Sequence, residues 1–477
     1  MRILLVNPPR FQRMPVIREE RCEIVERSSV IEPYSLLQLG AILRLGGHEI
    51  KLLDLNGFNL DYESLKLETQ TFKPQVVVFR LTPTTFDHDV RTAEVTKSVD
   101  DTILTIGVCW TLRTLPEEVL REAKHLDVYA TREYEVTVPA IIGAVAEGRG
   151  MKDVKGIAFR DGDGIKVNPT PEPLEDLDSL PMPAYDLLPS LDPYFVTAPA
   201  GKPFTILYTS KGCPFKCTFC TVAGTKWRPR SAESLLEELR FLKRNYGIKT
   251  VSFFDETFTL DRKRVLAICA AMENEGLKIK WYCNTRTHLV DEELLRTMYH
   301  AGCRGISLGV ESGSQKILDS SSKCTKVEQA RNAILWSKKA GIKVFASFII
   351  GLPGEDWSTV GETITFVKQT LPTSAEFNVA VPYPGTELFE SVVGTKGKTV
   401  NFRLLYQHDA VIGTESLRPE DLNRARNMAY RSLYFNPSWW ASNISHVIRH
   451  PEDAELASKY AMKVFKNYLF YRMEHAH

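Results

Sequence analysis

The 477-residue sequence lacks any run of about 18 apolar residues, so no transmembrane helix is expected. Its start, Met1 to Pro9, has too short an apolar stretch and no small-residue cleavage site, which argues against a signal peptide. Neither sign of charge is in excess. The 60 Lys and Arg residues face 59 Asp and Glu, a formal net charge of +1, and this speaks against a dedicated nucleic-acid binder. There is no low-complexity segment and no repeat of about 20–50 residues, which excludes solenoids and disordered arrays. No Gly-x-Gly-x-x-Gly follows the first strand candidate, so a dinucleotide site is unsupported. Paired cysteines are lacking too. Of nine cysteines, an odd number, Cys22, Cys109, Cys269, Cys283, Cys303 and Cys324 are scattered singly. That is no disulfide framework, and it predicts a reducing, cytoplasmic setting with one metal or redox site.

What is present is strand–helix alternation, the signature of an α/β protein. Short apolar runs at Arg2–Asn7, His48–Leu55, Gln75–Leu81, Thr102–Val108 and Leu126–Ala130 alternate with helical patterns, predicting a doubly wound Rossmann-like domain over 1–150. Nine of the 26 prolines fall between Asn168 and Pro203, so 151–203 reads as a connector. Six further strand candidates, each but the last followed by a helix, predict a partial six-unit barrel over 204–390. They are Phe204–Thr209, Thr250–Phe254, Lys278–Asn284, Gly305–Val310, Lys343–Ile350 and Ala375–Val381. From 391 to 477 the pattern is helical and aromatic, a C-terminal cap.

The remaining three cysteines sit directly after the first barrel strand, as Cys213-x-x-x-Cys217-x-Phe219-Cys220. Thiolates bind soft metals and iron–sulfur clusters. Three ligands on a four-iron cluster leave one iron open, whereas structural zinc wants a fourth Cys or His, and the next cysteine, Cys269, lies far along on a predicted helix. Zinc or three ordinary thiols is the competing reading.

This loop, with its aromatic residue before the last cysteine, resembles that of the radical S-adenosylmethionine (SAM) enzymes. The resemblance implies a 4Fe-4S cluster on Cys213, Cys217 and Cys220, whose open iron chelates SAM and cleaves it to a 5′-deoxyadenosyl radical. It extends along the strand ends. Phe253-Phe254-Asp255-Glu256-Thr257 is similar to the segment meeting the SAM ammonium, and Arg286 stands where an arginine would pair with its carboxylate. Glu311 and Ser312 fall where the family contacts ribose and methionine, and Gly351 and Glu355 where it meets adenine. Phe219 completes the implied SAM site. Lys226-Trp227-Arg228-Pro229-Arg230 is either a basic surface loop or a closure over the SAM side.

The first 150 residues resemble the cobalamin-binding subgroup. Asn7 and Pro8, the Thr82, Thr84 and Thr85 segment, Gly107, Trp110 and Glu133 are the residues that the resemblance places near a corrin. It further implies that the cobalt faces the barrel mouth. Asp-x-His-x-x-Gly is missing, so no protein histidine is expected beneath the cobalt, and His88 reads as an exposed helix-start residue. Trp110 would fill the lower face or obstruct it. Arg18-Glu19-Glu20-Arg21-Cys22-Glu23 reads as a solvated loop.

Tyr430, Tyr434, Phe435, Trp439 and Trp440, followed by Phe465, Tyr468, Phe470 and Tyr471, predict a cap packed on the barrel. The alternatives are a wall for a large apolar substrate, or peripheral membrane contact. The resemblance implies C-methylation of a small-molecule or lipid-like substrate, of lipid or tetrapyrrole type. Cofactors would be the cluster, SAM and cobalamin, with an electron donor such as flavodoxin or ferredoxin. A cyclase or carbon-skeleton enzyme is the runner-up. A methylthiotransferase or a non-catalytic cobalamin binder follows.

Overall fold

A computed structural model of the protein describes residues 1–19, 24–25, 29–196, 201–392 and 409–449, with positions 405, 454 and 458. The chain forms two compact units. One comprises Met1–Tyr194 with Pro382–Tyr406, the other Phe195–Val381 with Gln407–His477.

The first unit is built on a seven-stranded sheet. Its order is Glu49–Asp54, Arg2–Asn7, Val76–Arg80, Leu104–Val108, Val128–Ala130, Ile157–Asp161 and Gly164–Val167. The first five strands are parallel. Their centres are continuous buried apolar runs such as Val76-Val77-Val78, as expected when helices cover both faces. The last two strands form an antiparallel hairpin inside the stretch expected as a connector. Gly162, at φ +60°, makes its turn. Strand order reverses between Arg2–Asn7 and Val76–Arg80, and the crevice at such a reversal is where open α/β sheets bind ligands.

The second unit holds six parallel strands in chain order: Phe204–Leu207, Thr250–Phe253, Lys280–Arg286, Cys303–Glu311, Lys343–Ile350 and Ser374–Val379. A helix follows each of the first five. Local chemistry starts four of these helices. Ser231, Asp261, Asp291 and Asp356 each accept a hydrogen bond from the backbone N–H three residues on. Burial alternates along the fifth and sixth strands. Their partly exposed positions line up in register with those of the neighbouring strands: Asn284, Ser307 and Phe345, then Gly309, Ser347 and Glu376. One face of this sheet is therefore only partly filled, unlike the packed interior of a closed eight-stranded barrel. Cys269, Cys283 and Cys303 are buried, and the last two share the opposite strand face with Trp281.

The edge of the sixth strand is closed by side chains rather than a seventh strand. Along the helix Pro419–Tyr434, Arg426 donates to the Phe377 carbonyl at 2.8 Å, and Tyr430 accepts from the Phe377 N–H at 3.1 Å. Tyr434 both accepts from the Ala375 N–H and donates to its carbonyl. The match is geometric: four helical residues rise about 6 Å, close to the ~6.6 Å of two strand residues. Trp439 donates to the Pro372 carbonyl at 3.0 Å. Tyr430, Tyr434 and Trp439 are thus buried parts of the scaffold, whereas Phe435 is exposed. Phe465, Tyr468, Phe470 and Tyr471 lie outside the described residues.

Removing the two phenol oxygens would strand an edge N–H at Phe377 and both edge groups at Ala375. Tyr430→Phe and Tyr434→Phe are each expected to destabilise the protein by about 1–3 kcal/mol, read as a lower denaturant midpoint in urea unfolding. Unchanged midpoints would refute the edge-closing role.

Candidate functional site

The cluster loop is held by contacts that leave little freedom. Gly212, at φ +87°, begins it, and a Cβ there would lie 2.1 Å from the Lys226 carbonyl oxygen. Ser210–Lys211 pairs antiparallel with Arg228–Pro229. Cys213 N–H donates to Thr225 Oγ1 at 2.9 Å, Cys220 N–H to the Cys217 carbonyl at 3.1 Å and Thr218 N–H to the Ser321 carbonyl at 3.1 Å. The stretch Lys226–Arg230 is folded back onto this loop, with Arg228 buried and Arg230 paired to the buried Glu238 at 2.5 Å. It is not a free basic surface.

Cys213 and Cys217 are buried and Cys220 is partly exposed. Burial pushes the Cys220 thiol up to about 12, with Cys217 and Cys213 adding like-charge repulsion. Binding a metal here must therefore release protons. Among the described residues no group of three His, Cys, Asp or Glu side chains is arranged to hold a single metal ion. The loop, residues 211–220, carries three thiols and no His, Asp or Glu. Its donor set, three thiols on one turn at a parallel strand end, fits a larger soft centre such as a 4Fe-4S cluster.

Other strand ends supply the polar groups expected from the sequence, with different duties. Asp255 is wholly buried. Its carboxylate accepts from the Thr209 N–H at 2.6 Å, from the Thr209 hydroxyl at 2.5 Å and from the Ser210 hydroxyl at 2.7 Å. It organises the approach to the cluster loop. Glu256, next to it in sequence, and Phe219, on the cluster loop, are partly exposed. Arg286 is buried. Its Nη1 donates to Cys217 Sγ at 3.1 Å, its Nη2 donates to the Lys323 carbonyl, and its guanidinium lies 3.9 Å over the Phe215 ring.

Glu311 stands at φ +65°, where the strand register slips. A bulge with a left-handed non-glycine residue re-aims a side chain at a cost in strain. The re-aimed carboxylate meets buried Lys323 at 2.6 Å. A Cβ on Gly309 would fall 2.6 Å from Glu311 Oε1 and 2.9 Å from Lys323 Nζ, so a larger residue there would require the pair to shift. Ser312 is buried against Thr363 at 3.1 Å. Gly351, at φ +95°, donates its N–H to Glu355 Oε2, and Glu355 Oε1 is buried without a partner. Thr257, the end of the Phe253-Phe254-Asp255-Glu256-Thr257 segment, has its hydroxyl 3.9 Å from Cys213 Sγ, and sequence reasoning missed Lys323. No local pattern marks Lys323; only the fold brings it to Glu311.

In the first unit, Arg18 and Asp89 form a buried ion pair at 2.7 Å beside the strand reversal. Arg18 also donates to the Pro8 and Pro9 carbonyls and to Asn7 Oδ1, while Asp89 accepts from Thr82 N–H and Thr85 Oγ1. Asn7, Pro8, Thr82 and Thr85 are so brought together, and Thr84 adjoins them with its N–H on the Thr82 hydroxyl. Arg18 and Glu19 are buried, which corrects the expectation of a solvated loop. Glu19 accepts from the Ser35 hydroxyl at 2.8 Å. Residues 20–23, including Cys22, lie outside the described residues.

His88 is not exposed as expected. It is half-buried between Phe11 and Tyr62, with Nε2 3.3 Å from the Pro9 carbonyl, and burial lowers its pKa. The other three expected residues are dispersed. Gly107 is a strand residue crowded by Leu81 and Leu126, Trp110 lies under the Arg113 guanidinium at 4.5 Å, and Glu133 accepts from the Leu174 N–H. The threonine hydroxyls at the reversal can donate and accept, and the backbone carbonyls accept, a neutral polar set that suits the amide side chains of a corrin.

Burial raises the Glu355 carboxyl to about 7, with Asp356 adding repulsion and the Gly351 and Leu352 amides opposing. The folded protein therefore keeps a proton that the unfolded chain has released above about pH 4.3. This stability is present below that value and is lost as pH rises through about 7, amounting to about 3 kcal/mol. Glu355→Gln is expected to remove the slope. Its advantage over wild type in urea unfolding should be larger at about pH 8 than at about pH 5, and equal differences at both would contradict the assignment.

The Radical SAM superfamily profile matches residues 207–367, from the first barrel strand into the fifth helix. An uncharacterized methyltransferase of Pyrococcus horikoshii is 31% identical over 441 residues, spanning 92% of this chain and 93% of its own. The anaerobic magnesium-protoporphyrin IX monomethyl ester cyclase of Rubrivivax gelatinosus is 29% identical over 420 residues, spanning 85% and 74%. Among solved structures, the cobalamin-dependent S-adenosylmethionine radical enzyme OxsB, with aqua-cobalamin and S-adenosylmethionine bound, superposes with a TM-score of 0.71 at 18% identity. That match covers 99% of this chain and 76% of the other, and shows the fold. The chain belongs to the radical SAM superfamily, and its α/β fold is the one found in cobalamin-dependent members.

Proposed function

We propose that the protein is a cobalamin-dependent radical SAM enzyme that methylates an unactivated carbon of a small-molecule substrate of lipid or tetrapyrrole type. The observation that carries this reading is the loop Cys213-x-x-x-Cys217-x-x-Cys220, which follows directly on the first barrel strand. The whole-length likeness to a protein named a methyltransferase supports methyl transfer.

When bound, the cluster supplies the electron that cleaves SAM, and cobalamin supplies the methyl group. Cys213, Cys217 and Cys220 hold the cluster. Phe219, Glu256, Glu311 with Lys323, Ser312, Gly351 and Glu355 receive SAM, and Asp255 positions the loop beneath it. The Glu311–Lys323 pair offers both an acceptor for an ammonium group and a donor for a carboxylate. In the first unit, Asn7, Pro8, Thr82, Thr84 and Thr85 line the corrin crevice. The partly filled strand face around Ser307, Phe345 and Ser347 leaves room for substrate.

An external one-electron donor of flavodoxin or ferredoxin type completes the proposal. All eight described cysteines are free, which supports a reducing, cytoplasmic setting. Among the described residues no helix is long and apolar enough to cross a membrane. Exposed Phe435, Ile444 and Ile448 support peripheral contact with a lipid surface. Ring closure without methyl transfer is the second reading, favoured by the cyclase relative.

The test is anaerobic turnover of protein reconstituted with iron, sulfide and cobalamin, given SAM, dithionite and candidate lipids or tetrapyrroles. Methyl transfer yields both 5′-deoxyadenosine and S-adenosylhomocysteine. Deoxyadenosine alone would transfer the assignment to the cyclase reading. Cys213→Ala is expected to abolish deoxyadenosine formation, and reductive cleavage of SAM by that variant would overturn the cluster assignment.

A further inference from the structure

Arg286 ends the third barrel strand, the position at which an arginine would be expected to clamp the SAM carboxylate. Its guanidinium is already committed elsewhere. Nη1 is 3.1 Å from Cys217 Sγ, Nη2 is on the Lys323 carbonyl, and the plane rests 3.9 Å over Phe215, which lies between Cys213 and Cys217 on the same loop. Nε is buried without a partner, and the whole residue is 5% exposed. A second buried cation, Lys323, is paired with Glu311 at the end of the neighbouring strand.

We propose, on the basis of the cluster reading above, that Arg286 is a positioning residue that sets the reduction potential of the cluster through an N–H···S bond to Cys217. Reduction adds one electron, taken from the external donor, and no proton moves. The cluster becomes more negative by one charge. A fixed cation at a ligand sulfur in a water-poor site stabilises the reduced state more than the oxidised one, and hydrogen bonds to cluster sulfurs are an established lever on potential. Guanidinium suits the task because it stays charged at every working pH and because it stacks on an aromatic face, here one on the loop it serves. The unmatched Nε is the cost of aiming the fork at sulfur rather than at a carboxylate.

The experiment is a spectroelectrochemical titration of the reconstituted holoprotein without SAM, followed by electron paramagnetic resonance. Arg286→Gln is expected to keep wild-type iron content and to lower the reduced-to-oxidised ratio at fixed potential about tenfold, a shift of ~59 mV to more negative values for a one-electron couple. Arg286→Lys keeps the charge but loses the planar fork, and should fall between the two. An unchanged potential in Arg286→Gln, with weakened SAM binding, would overturn the proposal in favour of the carboxylate clamp. Should Arg286→Gln not retain iron, Arg286→Lys decides: a potential equal to wild type overturns the proposal, and a more negative one supports it. Failure of the wild-type protein itself to assemble a cluster would instead refute the underlying assignment.

Discussion

A carboxylate taken out of water must find donors, and the second unit depends on how Asp255 finds them. Its two oxygens are saturated by the Thr209 amide and hydroxyl and by the Ser210 hydroxyl. An unpaired buried charge would cost several kcal/mol, so the end of the second strand and the start of the cluster loop are locked as one object. Arg264 reinforces the lock from the helix side, donating to the Thr209 and Arg230 carbonyls. From that anchor Gly212 turns the chain under Lys226, and the three thiols follow within eight residues.

The same device recurs wherever a loop must remain polar yet fixed. Arg18 with Asp89 ties the two loops at the strand reversal of the first unit, and Glu311 with Lys323 holds the end of the fourth barrel strand. Such pairs contribute little net stability, because desolvation offsets their attraction. What they provide is a single geometry, since breaking one leaves a bare buried charge. The strain is placed accordingly: Glu311 carries a left-handed backbone at the site, while the surrounding strands are regular. Apolar packing does the stabilising behind them, as in the stacked pairs Phe253–Phe258 and Phe348–Phe377.

The helix Pro419–Tyr434 shows how the open edge of the partial barrel is covered. An open parallel sheet exposes an edge that invites pairing with other chains. Arg426, Tyr430 and Tyr434 supply donors and acceptors at the spacing of the strand, so the edge is satisfied without a further strand. Of the aromatic residues expected to form a cap packed on the barrel, Tyr430, Tyr434 and Trp439 supply this closure.

Periodicity and spacing were sufficient for what depends on local rules. The alternation of strand and helix and the three-cysteine loop are legible because each is written within a few consecutive residues. The radical SAM family follows from that loop and its strand-end companions. The sequence by itself could not reveal partners distant along the chain. Lys323 for Glu311, Asp89 for Arg18, Tyr434 for Ala375 and Cys217 for Arg286 are 12, 71, 59 and 69 residues apart. Nor could it tell a buried charged stretch from a solvated one at Arg18-Glu19, or a connector from a hairpin at Ile157–Val167. Those outcomes turn on which group is desolvated and what it then meets, and that is decided only when strands from distant parts of the chain come into register.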